Sequence, residues 1–234
     1  MAKIQSEQTF TGSIEKEMAS LSRRKFLGYA GATAGLAAVL AACTKQNTAA
    51  PARVNGTGVS LGSGDTGILN YAYALEQLEA AFYVKVIATP YANMSSAENA
   101  MLSDIMYHEI AHREFFKTAL GSAAIPALDF DFSTIDFTSR ASVLGTSKAF
   151  EDLGVSAYNG AGHLIVSPDY LVLAGKIVSV EARHASYIRD LIAYNSFADT
   201  TDMNGLDVSN PPSVVLPIAQ KYITTILDAS SLPV

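Results

Sequence analysis

The sequence predicts an all-α protein, a four-helix bundle built from two antiparallel hairpins joined by a long crossover, with a short fifth helix after it. Three observations predict this. From Asp65 onward, apolar residues recur three and four apart through four long segments. These segments pair through short loops, except for one eighteen-residue connection without helical period, Gly121 to Thr138. The two hairpins also carry the same motif, a lead glutamate followed some thirty residues later by Glu-x-x-His.

The chain has 234 residues, enough for one medium domain. Residues 1–42 are set aside first, because they read as a targeting segment. SRRKFLG at 22–28 places twin arginines before Phe26-Leu27, and a weak apolar run of Gly and Ala leads on to Ala42. That run is too short and too small-residue for a membrane span. Twin-arginine segments of this kind direct bacterial proteins through a receptor-read export route. LAAC at 40–43 resembles a lipoprotein cleavage box, which makes Cys43 the expected lipidation site and a lipid anchor the expected membrane partner. The alternative is ordinary cleavage, leaving Cys43 free or lost. Cys43 is the single cysteine, so no internal disulfide framework exists. The mature protein is expected to be extracytoplasmic or periplasmic.

Five of the 16 Lys/Arg and three of the 22 Asp/Glu lie in residues 1–42, leaving 11 and 19, a net charge of −8. No basic stripe survives, which argues against nucleic acid as a partner. Residues 43–64, rich in Ser, Thr, Gly, Ala and Asn, read as a flexible tether. The bundle is expected over 65–196, and residues 197–234 form a C-terminal extension.

The first helix is predicted over Thr66–Ala88, with Leu69, Ala72, Leu75, Leu78, Phe82 and Val86 on one stripe. The second opens with the capping box SSAE at 95–98 and runs to Leu120, where Gly121 stops it. The third spans about Ser142–Tyr158 and frays at Gly160 and Gly162. The fourth starts at Ser167-Pro168, a hydroxyl cap followed by proline at the first helical position, and reaches Tyr194. A fifth fits Pro212–Leu227. Short loops make antiparallel neighbours. The Gly121–Thr138 connection contains Pro126 and the alternating LDFDFSTIDF. A 20-residue helix is ~30 Å long and extended chain covers ~3.3 Å per residue, so this connection spans a whole bundle.

Aligning the hairpins exposes the repeat. ALEQLEAAFY at 74–83 matches AFEDLGVSAY at 149–158 in Ala, Glu, Leu and Tyr at equal offsets. EIAHREFFKTAL at 109–120 matches EARHASYIRDLI at 181–192, each reading Glu-x-x-His, then an aromatic, an apolar residue and a base. The lead glutamate precedes its Glu-x-x-His by 33 residues in one hairpin and by 30 in the other. Glu and His three apart share a helix face, ~5–6 Å between Cβ atoms, so both reach one ion. A lead Glu from each of two helices and Glu-x-x-His from each of the others supply four carboxylates and two imidazoles, directed inward. Buried together, four carboxylates need counter-charge, and two divalent cations provide it. The candidate metal ligands are Glu76, Glu109, His112, Glu151, Glu181 and His184.

HEIAH at 108–112 also fits the zinc-protease signature. A metzincin would need Gly at 115 and His at 118, where this chain has Phe115 and Thr118. The protease reading leaves the second Glu-x-x-His and the whole repeat unexplained. His108 lies about 100° around the helix from Glu109, towards the bundle edge. A further alternative is a bundle that keeps the motif without the metal.

The motifs NYAYALEQLEAAFY, HEIAHREFF, FEDLGVSAYNGA and VEARHASYIR, spread over about 65–196, resemble the ferritin-like superfamily. Within it they are similar to exported ferritin-like domain proteins of the desiccation-related type. The resemblance implies a bundle with a dinuclear site holding two Fe or two Mn ions at those six residues. Dioxygen or peroxide is then the implied small-molecule partner, in ferroxidase, peroxidase or catalase chemistry. Closed-shell iron storage does not suit a tethered subunit. A homo-oligomer is left open.

Tyr83 and Tyr158 sit two turns after the lead glutamates, on the same faces, where they could hydrogen-bond a ligand carboxylate. The alternative is a pair of core tyrosines with satisfied hydroxyls. Glu79, one turn from Glu76, is a candidate substitute ligand or base, with a partly exposed helix glutamate as the plainer expectation. His163 is expected to be structural or solvent-facing. Gly154 costs about 1 kcal/mol inside a helix relative to Ala, which close packing near the metals would account for. Two functions compete: an exported di-metal oxidoreductase acting in stress protection, and a non-catalytic protective or interaction module on the same scaffold.

Overall fold

The computed structural model describes residues 58–234. The predicted signal segment, Cys43 and tether residues 43–57 lie outside the described residues. Four long helices form: α1 (Gly64–Ala88), α2 (Ser96–Leu120), α3 (Arg140–Ala161) and α4 (Pro168–Ile192). A short α5 (Pro212–Ala219) follows. Helix α1 pairs with α2, α3 pairs with α4, and α1 packs beside α3, while α2 and α4 stand further apart across the remaining side of the bundle. Among the described residues no helix is long and apolar enough to cross a membrane.

The helix ends follow the sequence signals closely. The Ser95 hydroxyl accepts the Glu98 N–H while the Glu98 carboxylate accepts the Ser95 N–H, a complete capping box. Ser139 and Ser167 accept the third backbone N–H of α3 and α4, and Pro168 sits where a missing N–H costs nothing.

Helix α1 is the central element. Every residue from Gly67 to Ala80 is buried, because the crossover lies over the face turned away from the bundle. The alternation of LDFDFSTIDF now has a cause: Leu128, Phe132, Ile135 and Phe137 point inward while the aspartates face water. Phe82 receives Phe132 edge-on, with ring centroids 6.0 Å apart. The crossover backbone is satisfied by two buried amides of α1. Asn70 donates to Leu61 O (3.1 Å) and Ala123 O (2.9 Å) and accepts Ile125 N–H (2.9 Å). The Gln77 side chain accepts Leu128 N–H at 3.0 Å. These bonds answer the demand that buried polar backbone be paired.

Two expectations need correction. Residues 58–64 are not tether: Val59–Ser60 (β1) pairs in parallel with Leu227–Asp228 (β2), and Leu61 is fully buried. The fifth helix ends at Ala219 and not at Leu227. The Gln220 side chain there donates to Ile223 O (2.6 Å) and Thr225 O (2.9 Å) and accepts Leu227 N–H (3.1 Å). One side chain thus folds the backbone out of the helix and aims it into β2. The C-terminal extension also docks on α3, where Asn210 N–H donates to Ser156 O at 2.9 Å. Only glycine fits at 160, since an added Cβ would lie 1.8 Å from Asn210 O.

Candidate metal centre

The six predicted residues, drawn from all four long helices, converge midway along the bundle. They form two overlapping sets, each completed by one glutamate of the other half of the repeat. Glu76, Glu109, His112 and Glu181 bring one side-chain atom each to within 4.8 Å of one another, and so do Glu109, Glu151, Glu181 and His184. Glu109 and Glu181 belong to both sets. Two adjacent four-atom sites therefore share two carboxylates.

The distances keep this two-fold relation. His112 Nδ1 lies 2.8 Å from Glu181 Oε1, 3.4 Å from Glu76 Oε2 and 3.6 Å from Glu109 Oε2. His184 Nδ1 lies 2.8 Å from Glu109 Oε1, 3.4 Å from Glu151 Oε2 and 3.5 Å from Glu181 Oε2. Each imidazole thus comes closest to the shared glutamate of the other half. All four glutamates are completely buried.

Two tyrosines cross between the halves. Tyr83 of α1 donates to Glu151 Oε1 of α3 at 2.5 Å, and Tyr158 of α3 donates to Glu76 Oε1 of α1. Each phenol takes one oxygen of a lead glutamate and leaves Oε2 facing the centre.

The donor set fits a pair of cations. Eight buried side-chain atoms at the centre make no hydrogen bond: Oε2 of Glu76 and Glu151, both oxygens of Glu109 and Glu181, and Nδ1 of His112 and His184. The Nδ1–carboxylate pairs are at ion-pair distance, yet no N–H lies along any of those lines. Lone pairs meeting at common points are what a metal requires and what protein-only pairing avoids. Two divalent ions would neutralise the four buried carboxylates.

With protein groups alone, the charges are strongly conflicted. Burial pushes the Glu109 carboxyl well above its ordinary range, and the Glu181 charge adds to this. Burial likewise raises Glu151, to about 7, against the lowering effect of His184. At Glu181 burial acts upward too, but the two imidazoles at ion-pair distance, 2.8 and 3.5 Å away, outweigh it and hold the group at about 2. Burial would lower His184, but the carboxylates around it raise it to about 12, and they raise His112 strongly as well. Metal-free, the cluster is a trap for protons; a cation displaces them.

One residue stands differently from expectation. Glu79 is buried, not partly exposed, and lies outside both four-atom sets. Burial pushes its carboxyl well above the usual range, with Glu109 the leading charge behind it. Gly154 makes room for it, since an added Cβ would sit 3.0 Å from Glu79 Oε1. His108 is at the exposed edge as expected, but its Nδ1 lies 2.8 Å from Nε2 of His184. Nothing in the sequence pairs α2 with α4 directly, so this contact was not readable there. His163 is exposed and far from the cluster in sequence and role.

No curated protein matches the chain at a significant level. The Ferritin-like domain family matches residues 64–194, which covers all four long helices and every residue of the centre. By that match, the bundle topology and the doubled motif, the chain belongs to the ferritin-like domain family.

Proposed function

We propose that this protein holds two redox-active divalent ions, Fe or Mn, between Glu76, Glu109, His112, Glu151, Glu181 and His184, and that it oxidises ferrous iron or reduces peroxide outside the cytoplasm. The observation that carries this reading is the convergence of eight unpaired buried atoms into two sites with shared carboxylates. Carboxylate-rich ligation suits Fe or Mn, whereas Zn favours fewer ligands and more nitrogen or sulfur. Bound ions of this kind supply two-electron chemistry toward dioxygen or a peroxide.

The chain's own residues set the conditions. Tyr83 and Tyr158 hold the outer oxygens of the lead glutamates, fixing the orientation of the inner ones. Complete burial of the four glutamates keeps bulk water out and strengthens every charge interaction inside. The protease reading loses its basis, because His108 points to His184 and stands outside both four-atom sets. Export and lipid attachment rest on SRRKFLG and LAAC, and are checked by the mass and acylation of Cys43 in membrane fractions.

The deciding experiment is metal analysis of the purified protein from cells supplied with iron and manganese, followed by ferrous-oxidation and peroxide-turnover assays. Close to two Fe or Mn per chain, with turnover lost in Glu109→Ala, is the expected result. One zinc per chain would return the protease; metal-free protein without turnover would leave a protective scaffold.

A further inference from the structure

Where the C-terminal extension crosses α3 and the end of α4, it encloses a cavity of about 280 Å³ that none of the six metal-site residues lines. One side of the cavity is Asp152 and Leu153 of α3 with Arg189 of α4. The other is Thr200, Asp207 and Val208 of the extension, with Ile218 of α5. Arg189 is only 6% exposed, and an arginine that deep is normally well paired. Its Nη2 meets Asp152 Oδ1 as an ion pair, and its Nε lies 3.5 Å from Asp199 Oδ1. Charge is thereby balanced, but direction is not. Arg189 Nε and Asp152 Oδ1 are both buried, and neither finds a hydrogen-bond partner among the described residues. The guanidinium is held between Asp152, which lines the cavity, and Asp199, whose neighbour Thr200 lines it. A donor and an acceptor left unanswered side by side, at the wall of a cavity, call for a guest that supplies both.

The charges around the cavity narrow that guest. Asp152, Asp199 and Asp207 repel an anion. Arg189 repels a cation, as does Lys148, whose Nζ holds Asp152 Oδ2 at 2.8 Å. A neutral group that donates and accepts at once is a hydroxyl. Water is the smallest such molecule, but the space far exceeds the ~10–15 Å³ that one water needs. Leu153, Val208 and Ile218 also give it apolar walls, where water lacks partners. A compact ring with hydroxyls on its edge and C–H groups on its faces meets the polar and the apolar demand together.

We infer that this cavity is a binding site for a neutral polyol the size of one sugar ring. Adjacent hydroxyls bridge Arg189 Nε and Asp152 Oδ1, and others reach Thr200 and Asp207. The site needs neither metal nor redox chemistry, so it stands independently of the dinuclear reading.

Calorimetric titration of the full chain with glucose tests it, beside acetate as an anion and methylammonium as a cation. Saturable binding of one glucose per chain is the expected result. Val208→Trp, at a position 48% exposed, fills the space from the surface and should abolish that binding. Asp207→Ala, also exposed, removes one charged hydrogen-bond acceptor and should weaken it about tenfold. Two variants at exposed positions keep the test independent of the folding of either one. No saturable glucose binding, or unchanged affinity in the variants, overturns the site. Acetate or methylammonium binding that Val208→Trp removes overturns the polyol assignment.

Discussion

His108 Nδ1 lies 2.8 Å from His184 Nε2, and the two rings are nearly coplanar, 10° apart, with centroids 5.1 Å from each other. That is an in-plane hydrogen bond, edge to edge. His184 turns its other nitrogen, Nδ1, to the carboxylates. A metal on Nδ1 fixes the proton on Nε2, and His108 is its acceptor. The repeat places Val180 where His108 stands, each just before the glutamate of its Glu-x-x-His, so His112 has no such support. Two halves alike in carboxylates differ in how their imidazoles are held.

His108→Ala should therefore weaken one metal position and spare the other. The expected loss is about 10- to 100-fold in affinity, seen as a drop from two ions towards one per chain after dialysis. His108→Gln, whose amide can still accept the Nε2–H, should restore much of it. Equal loss of both ions, or none, would show that the contact is incidental.

How much of this was legible beforehand follows from what sequence encodes. The bundle and its six converging residues were readable because they rest on local periods: three and four for the helix faces, three within each Glu-x-x-His, and a repeat between hairpins. His108–His184, Glu79–Gly154 and β1–β2 were not, because each joins residues that only tertiary packing brings together. The fifth helix stops short of its apolar pattern for a related reason. Its apolar pattern continues past Ala219, but the Gln220 side chain satisfies the backbone of a turn instead.

The shared carboxylates predict an asymmetry among ligand mutants. Glu109 and Glu181 serve both four-atom sets, whereas Glu76 and Glu151 serve one each. Glu109→Gln or Glu181→Gln should abolish binding of both ions. Glu76→Gln should leave about one ion per chain, held by the Glu151–His184 half. Metal content measured by mass spectrometry on folded protein reads this directly; identical stoichiometry across the three variants would contradict a shared-carboxylate centre.

Metal-free protein should lose stability as pH rises from about 4.5 to about 7. Burial raises Glu151 from 4.5 to about 7, so across that window the folded state keeps a proton that the unfolded chain has released. Glu109, also raised, acts in the same direction. Stability from such groups is fully present below the ordinary carboxylate pKa and is lost as pH climbs through the folded one. Glu181, held at about 2, acts oppositely, but only at the acid end, as pH falls through that value. Chemical denaturation of chelator-treated protein should show the decline, and loading with Mn should flatten it, because the ions replace those protons.

Glu79 and Gly154 occupy equivalent positions in the repeat, each three residues after a lead glutamate, and they face one another across the bundle. The symmetry breaks there for a steric reason: Glu79 Oε1 would lie 3.0 Å from a Cβ at 154, closer than side chains normally pack. Replacing a helix-interior glycine by alanine ordinarily gains about 1 kcal/mol. In Gly154→Ala that gain should vanish or reverse, because the buried carboxyl has to shift within a packed core. In a Glu79→Ala background the obstacle is gone, and the same change should stabilise by about 1 kcal/mol. The two sites are thus expected to couple by about 1–2 kcal/mol, well above the few tenths seen for independent positions. Unfolding midpoints of the four metal-free proteins close the cycle. Additive effects would mean that Glu79 swings aside freely, and that the glycine at 154 is there for some reason other than this acid.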